Sequence, residues 1–167
     1  FYLKMKQSNQ IFKNEYLPHN FLAEKMIISS LLVSSEAIEL TIKTLPFDAF
    51  YFQNHQEIYR AISFMYQNKI PIDIITLITF LQDNGLLKQI GGIKVLIELV
   101  SQFPNLVYLE EYLALVQDKF IRRSLIKLGY QAINSAYITN IPLEGILNDF
   151  ETKLFNLTIK TRTKKFS

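Results

Sequence analysis

Between residues 107 and 138 the chain contains no proline and a single glycine, Gly129. Apolar side chains recur there at Leu109, Leu113, Val116 and Phe120, then at Leu125, Leu128, Ala132 and Ala136. Steps of three and four residues place them on one side of a helix with 3.6 residues per turn. At 1.5 Å per residue that helix is roughly 45 Å long. Thr139-Asn140-Ile141-Pro142 turns it, and Leu143, Ile146, Leu147, Phe150, Leu154 and Leu157 mark a last helix over about 142–157. A long helix, a tight turn and a shorter helix make an antiparallel hairpin.

The rest of the chain reads as short helices. Pro18 fixes φ in the turn Leu17-Pro18-His19-Asn20 and biases Leu17 away from helix. Leu22, Met26, Ile27 and Leu31 predict a first helix at about 21–33. Ser35 is the expected N-cap of a second at about 36–44, stopped by Pro46. Asn54 is the expected cap of a third, with Glu57 in capping-box position and Ile58, Ile62 and Met65 on its inner face. Asp73 caps a fourth, which carries Ile74, Leu77, Ile78 and Leu81 and ends near Asn84-Gly85. A fifth runs about 93–101, before Phe103-Pro104-Asn105. The β-branched run at 70–75 is interrupted by Pro71, so no strand is expected. The fold class is all-α. Residues 1–16 read as a flexible lead-in, 17–105 as a globule of five short helices, 106–157 as the hairpin and 158–167 as the start of a linker. Phe1 is not a methionine, so the chain is expected to be cut from something larger.

Little chemistry is on offer. There is no cysteine, hence no disulfide and no thiolate metal site. His19 and His55 are the only histidines and lack ligand spacing, so no metal is expected; His55 reads as a half-buried packed residue. Gly91-Gly92 is not followed by the Gly-Lys-Ser/Thr of a phosphate loop and reads as a turn with a positive φ. The neighbours Glu110 and Glu111 point about 100° apart on a helix and cannot share a proton; with Asp149 and Glu151 they read as a solvated face. No catalytic residue and no cofactor site is expected in this chain. No apolar run is long enough to span a membrane. Four cations, Lys160, Arg162, Lys164 and Lys165, lie in the last eight residues; residues 17–157 hold 11 basic and 14 acidic residues, without the basic stripe of a nucleic-acid binder. Arg122-Arg123 fits either an interface with acidic groups or a solvated face. The hairpin stripe exceeds what one short helix covers. It points to self-association of two hairpins, with Leu109, Leu113, Val116, Phe120, Ile146, Leu147, Phe150 and Leu154 at the dimer interface.

Five short patterns, in order, resemble the N-terminal domain of the DnaB-type replicative helicase family. They are Leu17-Pro18-His19-Asn20-Phe21-Leu22-Ala23-Glu24; Phe50 with His55, Ile58, Tyr59 and Ala61-Ile62; Ile70-Pro71-Ile72-Asp73 with Thr76-Leu77; Gly85 with Gly91-Gly92; and Tyr112, Val116 and Arg122-Arg123-Ser124-Leu125-Ile126. Ser29 and Val95 stand where the family often has Gly and Tyr. The resemblance implies a collar on a hexameric ring, built as a trimer of hairpin-paired dimers. It implies docking of a DnaG-type primase, an influence on loading that extends to a helicase loader, and a RecA-like motor domain beyond the linker. That absent domain would hold ATP and Mg and make most of the DNA contacts. The bias toward Ile, Lys, Asn, Tyr and Phe suggests an AT-rich genome, hence a bacterial cytoplasm or a plastid stroma. Two readings compete: a stand-alone adaptor, such as the helicase-binding domain of a primase, and a direct DNA-binding module.

Overall fold

A computed structural model describes residues 17–162. The lead-in 1–16 and the basic residues Lys164 and Lys165 lie outside the described residues. Among the described residues seven α-helices follow one another: α1 Phe21–Leu31, α2 Ser35–Thr44, α3 Gln53–Gln67, α4 Ile74–Asp83, α5 Ile93–Val100, α6 Leu109–Tyr137 and α7 Leu143–Arg162. Single 3-10 turns stand at Phe47–Ala49 and Leu106–Tyr108, and no strand occurs among the described residues.

The helix starts test local chemistry. Asn20 accepts from the Ala23 amide at 3.0 Å and starts α1. The cap of α2 is Ser34, not Ser35: its Oγ accepts from the Ala37 amide at 3.2 Å, so Ser35 becomes the first helical residue. α3 has no side-chain cap of its own. Asn54 lies inside it, where its Oδ1 accepts from the adjacent His55 amide, and Glu57 faces Arg60 at 3.9 Å instead of closing a box. Asp73 caps α4 as expected, but its reciprocal partner is Thr76. Gly91 and Gly92 both take positive φ, +104° and +82°, and Gly92 stands at the cap of α5. A Cβ on Gly91 would fall 2.5 Å from Cγ2 of Val95, so the turn packs down on that side chain.

One hydrophobic cluster unites the globule. Ile27, Ile28 and Leu31 of α1 meet Ile58, Ile62 and Met65 of α3, with Leu77 and Leu81 of α4 and Leu96 and Leu99 of α5 closing it. Leu109, Leu113 and Val116 of α6 belong to this same cluster. At 29 residues α6 is therefore shared: its first turns are a wall of the globule, and it also pairs with α7. The last helix is longer than its apolar spacing suggested, reaching Arg162 in place of about 157. No glycine or proline interrupts 158–162, and Thr158 and Thr161 donate their hydroxyls to the carbonyls of Leu154 and Leu157 at 3.0 Å.

Candidate assembly surface

The long helix can leave the globule only if something holds its middle, and what holds it is polar. Glu24 of α1, His55 of α3 and Arg123 of α6 are all buried. Each occupies an apolar face: Glu24 precedes Ile27, Ile28 and Leu31, His55 precedes Ile58, Tyr59 and Ile62, and Arg123 follows Val116 and Phe120. The Glu24 carboxylate accepts from the Tyr51 amide at 3.0 Å and from the Phe52 amide at 3.5 Å, and bonds His55 Nδ1 at 2.9 Å. It thus supplies from α1 the negative charge that the uncapped N-terminus of α3 lacks. Arg123 donates from Nη1 to the Pro18 carbonyl and from Nη2 to the Ala49 carbonyl, both at 2.7 Å. Burial pushes its guanidinium below the ordinary arginine value, and the nearby Glu24 carboxylate pushes it back. Tyr51, stacked on His19 at 4.5 Å between centroids, also lies under the guanidinium at 5.4 Å. Two chain segments, 105 and 74 residues upstream of Arg123 in sequence, are thereby pinned to one side chain.

Neither sequence reading of Arg123 holds: it is neither solvated nor turned to a partner. Its neighbour Arg122 is exposed and pairs with Asp118 at 2.8 Å on the helix surface. His55 is fully buried, not half-buried.

The residues expected at a dimer interface divide into three groups. Leu109, Leu113 and Val116 are 5%, 2% and 1% exposed and are spent on the globule's own core. Phe120, Ile146 and Phe150 are partly covered, Phe120 against that core. Leu147 and Leu154 are exposed, at 53% and 39%. Other exposed groups on the same hairpin stand outside that expected interface: Leu125 and Leu143, already in the apolar spacing, and Ile133, Tyr137, Phe155 and Ile159, which the sequence reading did not name. Glu110, Glu111, Glu144 and Glu151 are exposed around this surface. Among the described residues no group of three or more His, Asp or Glu could hold a metal ion, and no helix is long and apolar enough to cross a membrane.

Comparison with known proteins places this geometry. A family model described as DnaB-like helicase N terminal domain matches residues 16–118. The chain is 64% identical over 152 residues to a probable replicative DNA helicase of the diatom Trieres chinensis, covering 91% of this chain and 33% of that protein. It is 34% identical over 141 residues to the replicative DNA helicase DnaB of Synechocystis sp., covering 84% and 16% respectively. The chain thus spans a third or less of the length of these relatives. Its fold is similar to the crystal structure of the N-terminal domain of DnaB helicase from Mycobacterium tuberculosis, with a TM-score of 0.78 and 26% identity over 84% of this chain and 99% of that one. The matched segment carries the Pro18 turn, the Glu24–His55 pair and the glycine turn, and the chain belongs to the family of DnaB-like helicase N-terminal domains.

Proposed function

We propose that this chain is the collar and assembly module of an ATP-dependent replicative DNA helicase, and that it joins subunits by pairing hairpins. The observation that carries this reading is the hairpin surface. Among the described residues, α7 packs chiefly on α6, yet Leu125, Ile133, Leu143, Leu147 and Phe155 remain exposed along the hairpin. An apolar row of this extent on a folded domain marks an interaction site. A second hairpin of the same kind covers it as a four-helix bundle.

In this reading the chain itself performs no chemistry. ATP and Mg act in a motor domain that follows in the longer protein, which also makes the main DNA contacts. The globule is the docking platform for a primase. The diatom relative favours a plastid over a bacterial cytoplasm as the place of action.

Sedimentation velocity of the 167-residue chain tests the pairing. The expected result is a dimer at micromolar concentration. Leu147→Asp with Phe155→Asp should give a folded monomer, since both side chains are exposed and outside the core. A wild-type chain that stays monomeric at the highest soluble concentration would overturn the assembly reading.

A further inference from the structure

A cleft of about 240 Å3 opens where the long helix meets the globule. Arg123, Ser124 and Lys127 line it from α6, and Asp48 and Gln56 line it from the globule. Arg123 and Lys127 stand four residues apart, one above the other on the helix. Arg123 is buried, yet its bonds to the Pro18 and Ala49 carbonyls engage only two of five N–H donors. Lys160, 5.8 Å from the centroid of the Phe120 ring in the cleft wall, brings a third positive charge nearby. On the globule side, Asp48 is close enough to favour the charged guanidinium. Among the described residues, however, no ion pair joins it to Arg123 or Lys127. Gln56 turns its amide nitrogen to the Phe50 carbonyl, which leaves its own side-chain oxygen as an acceptor.

Opposite charges that share a cleft without pairing leave room for a ligand that satisfies both. Three cations against one acid favour an anion, and a guanidinium fork beside an ammonium suits the oxygens of a phosphate. The Asp48 carboxylate and the Gln56 oxygen accept hydrogen bonds, so the rest of the ligand should donate them, as neighbouring hydroxyls do. The rings of Tyr51 and Phe120 already face the guanidinium, at 5.4 and 5.9 Å, so recognition rests on polar groups rather than on stacking. Glu24 does not oppose the anion from inside the cleft: its carboxylate is taken up by the Tyr51 and Phe52 amides and by His55.

We infer that this cleft binds a small phosphate monoester on a hydroxylated frame, a free sugar phosphate, with the phosphate on Arg123 and Lys127 and the hydroxyls on Asp48 and Gln56. Such a ligand touches α6 and the globule at once, so its binding stiffens the joint between them. The inference stands apart from the assembly reading above, since none of these side chains belongs to the exposed apolar surface of the hairpin.

Ribose 5-phosphate is the probe, with methyl phosphate, ribose and L-glutamate as controls. A ligand of about 14 non-hydrogen atoms at ordinary efficiency binds near about 1 mM. At about 10 mM it should raise the melting temperature of the 167-residue chain by roughly 3–6 °C. Amide shifts in the 15N-labelled chain should map to residues 48–56 and 123–127. Lys127→Ala should weaken binding about fivefold to tenfold. Asp48→Asn should erase the preference for ribose 5-phosphate over methyl phosphate while leaving methyl phosphate bound. Both side chains are exposed, so both variants should fold, and circular dichroism checks that they do. Four results overturn the inference: no saturable shift with ribose 5-phosphate, methyl phosphate binding equally well to the wild type (an adventitious ion only), stronger binding of L-glutamate, or folded variants that bind like the wild type.

Discussion

Arg123 offers the sharpest quantitative test of how the long helix is held. Replacing it with methionine keeps the stem's bulk and removes the guanidinium. The half-buried Pro18 carbonyl and the buried Ala49 carbonyl then lose donors now at 2.7 Å. Hydrogen bonds from a charged donor contribute roughly 1.5–3 kcal/mol each, and a buried acceptor left without a partner loses its hydration as well. Glu24 also loses the favourable field of the guanidinium, a penalty that falls on a buried carboxylate. The expected loss is about 3–6 kcal/mol, a large part of the roughly 5–15 kcal/mol that stabilises an ordinary domain. Arg123→Lys keeps the charge but presents a point donor in place of a planar fork, so it should recover about half. The neighbouring Arg122→Met is the internal control. Its side chain is 62% exposed and its Asp118 partner 51%, so no more than about 0.5 kcal/mol should be lost. Urea unfolding followed at 222 nm gives all three values. If Arg123→Met shifted the free energy by less than about 1 kcal/mol, or no more than Arg122→Met, the polar joint would not be what fixes α6 to the globule.

Two further outcomes follow from burial. Leu113→Ala should destabilise the fold by about 2–5 kcal/mol without separating subunits of the folded protein, because Leu113 is a core residue; combined thermal melts and sedimentation would show dissociation without destabilisation if it lay at an interface instead. Burial pushes the Tyr59 phenol up to about 12, and its hydroxyl donates to the Leu45 carbonyl at 2.8 Å. A folded-state value above the unfolded one of 10 means stability that is intact below pH 10 and lost as pH rises from 10 toward 12. Two units correspond to roughly 2.7 kcal/mol, so the urea midpoint should fall across that window, and Tyr59→Phe should flatten much of the fall while lowering the plateau.

The helical elements were legible because their causes are local. Asn20 and Asp73 cap from their own neighbourhood, Gly85, Gly91 and Gly92 supply the positive φ their turns require, and unbroken apolar spacing announced α6. Errors of a residue or two arose where two candidates compete, as Ser34 and Ser35 do before α2. The missing cap of α3 is a different kind of error. Asn54 looks suitable, but the negative charge that serves this helix end arrives from Glu24, 28 residues upstream of Phe52.

The amino-acid pattern by itself determined the fold class, the hairpin, the absence of catalytic motifs and the family. The first three rest on short-range spacing or on composition; the family rests on the resemblance of five short patterns. Only the tertiary structure decided which apolar and charged residues of the hairpin face inward. Leu113 and Leu147 look alike in a helical repeat, yet one is 2% exposed and the other 53%. Arg122 and Arg123 are adjacent and chemically identical, yet one pairs at the surface and the other pins two distant loops. The difference is which side of α6 meets the globule, and at what point along its length the globule stops. Periodicity gives the faces of a helix but not the identity or the extent of what packs against each of them.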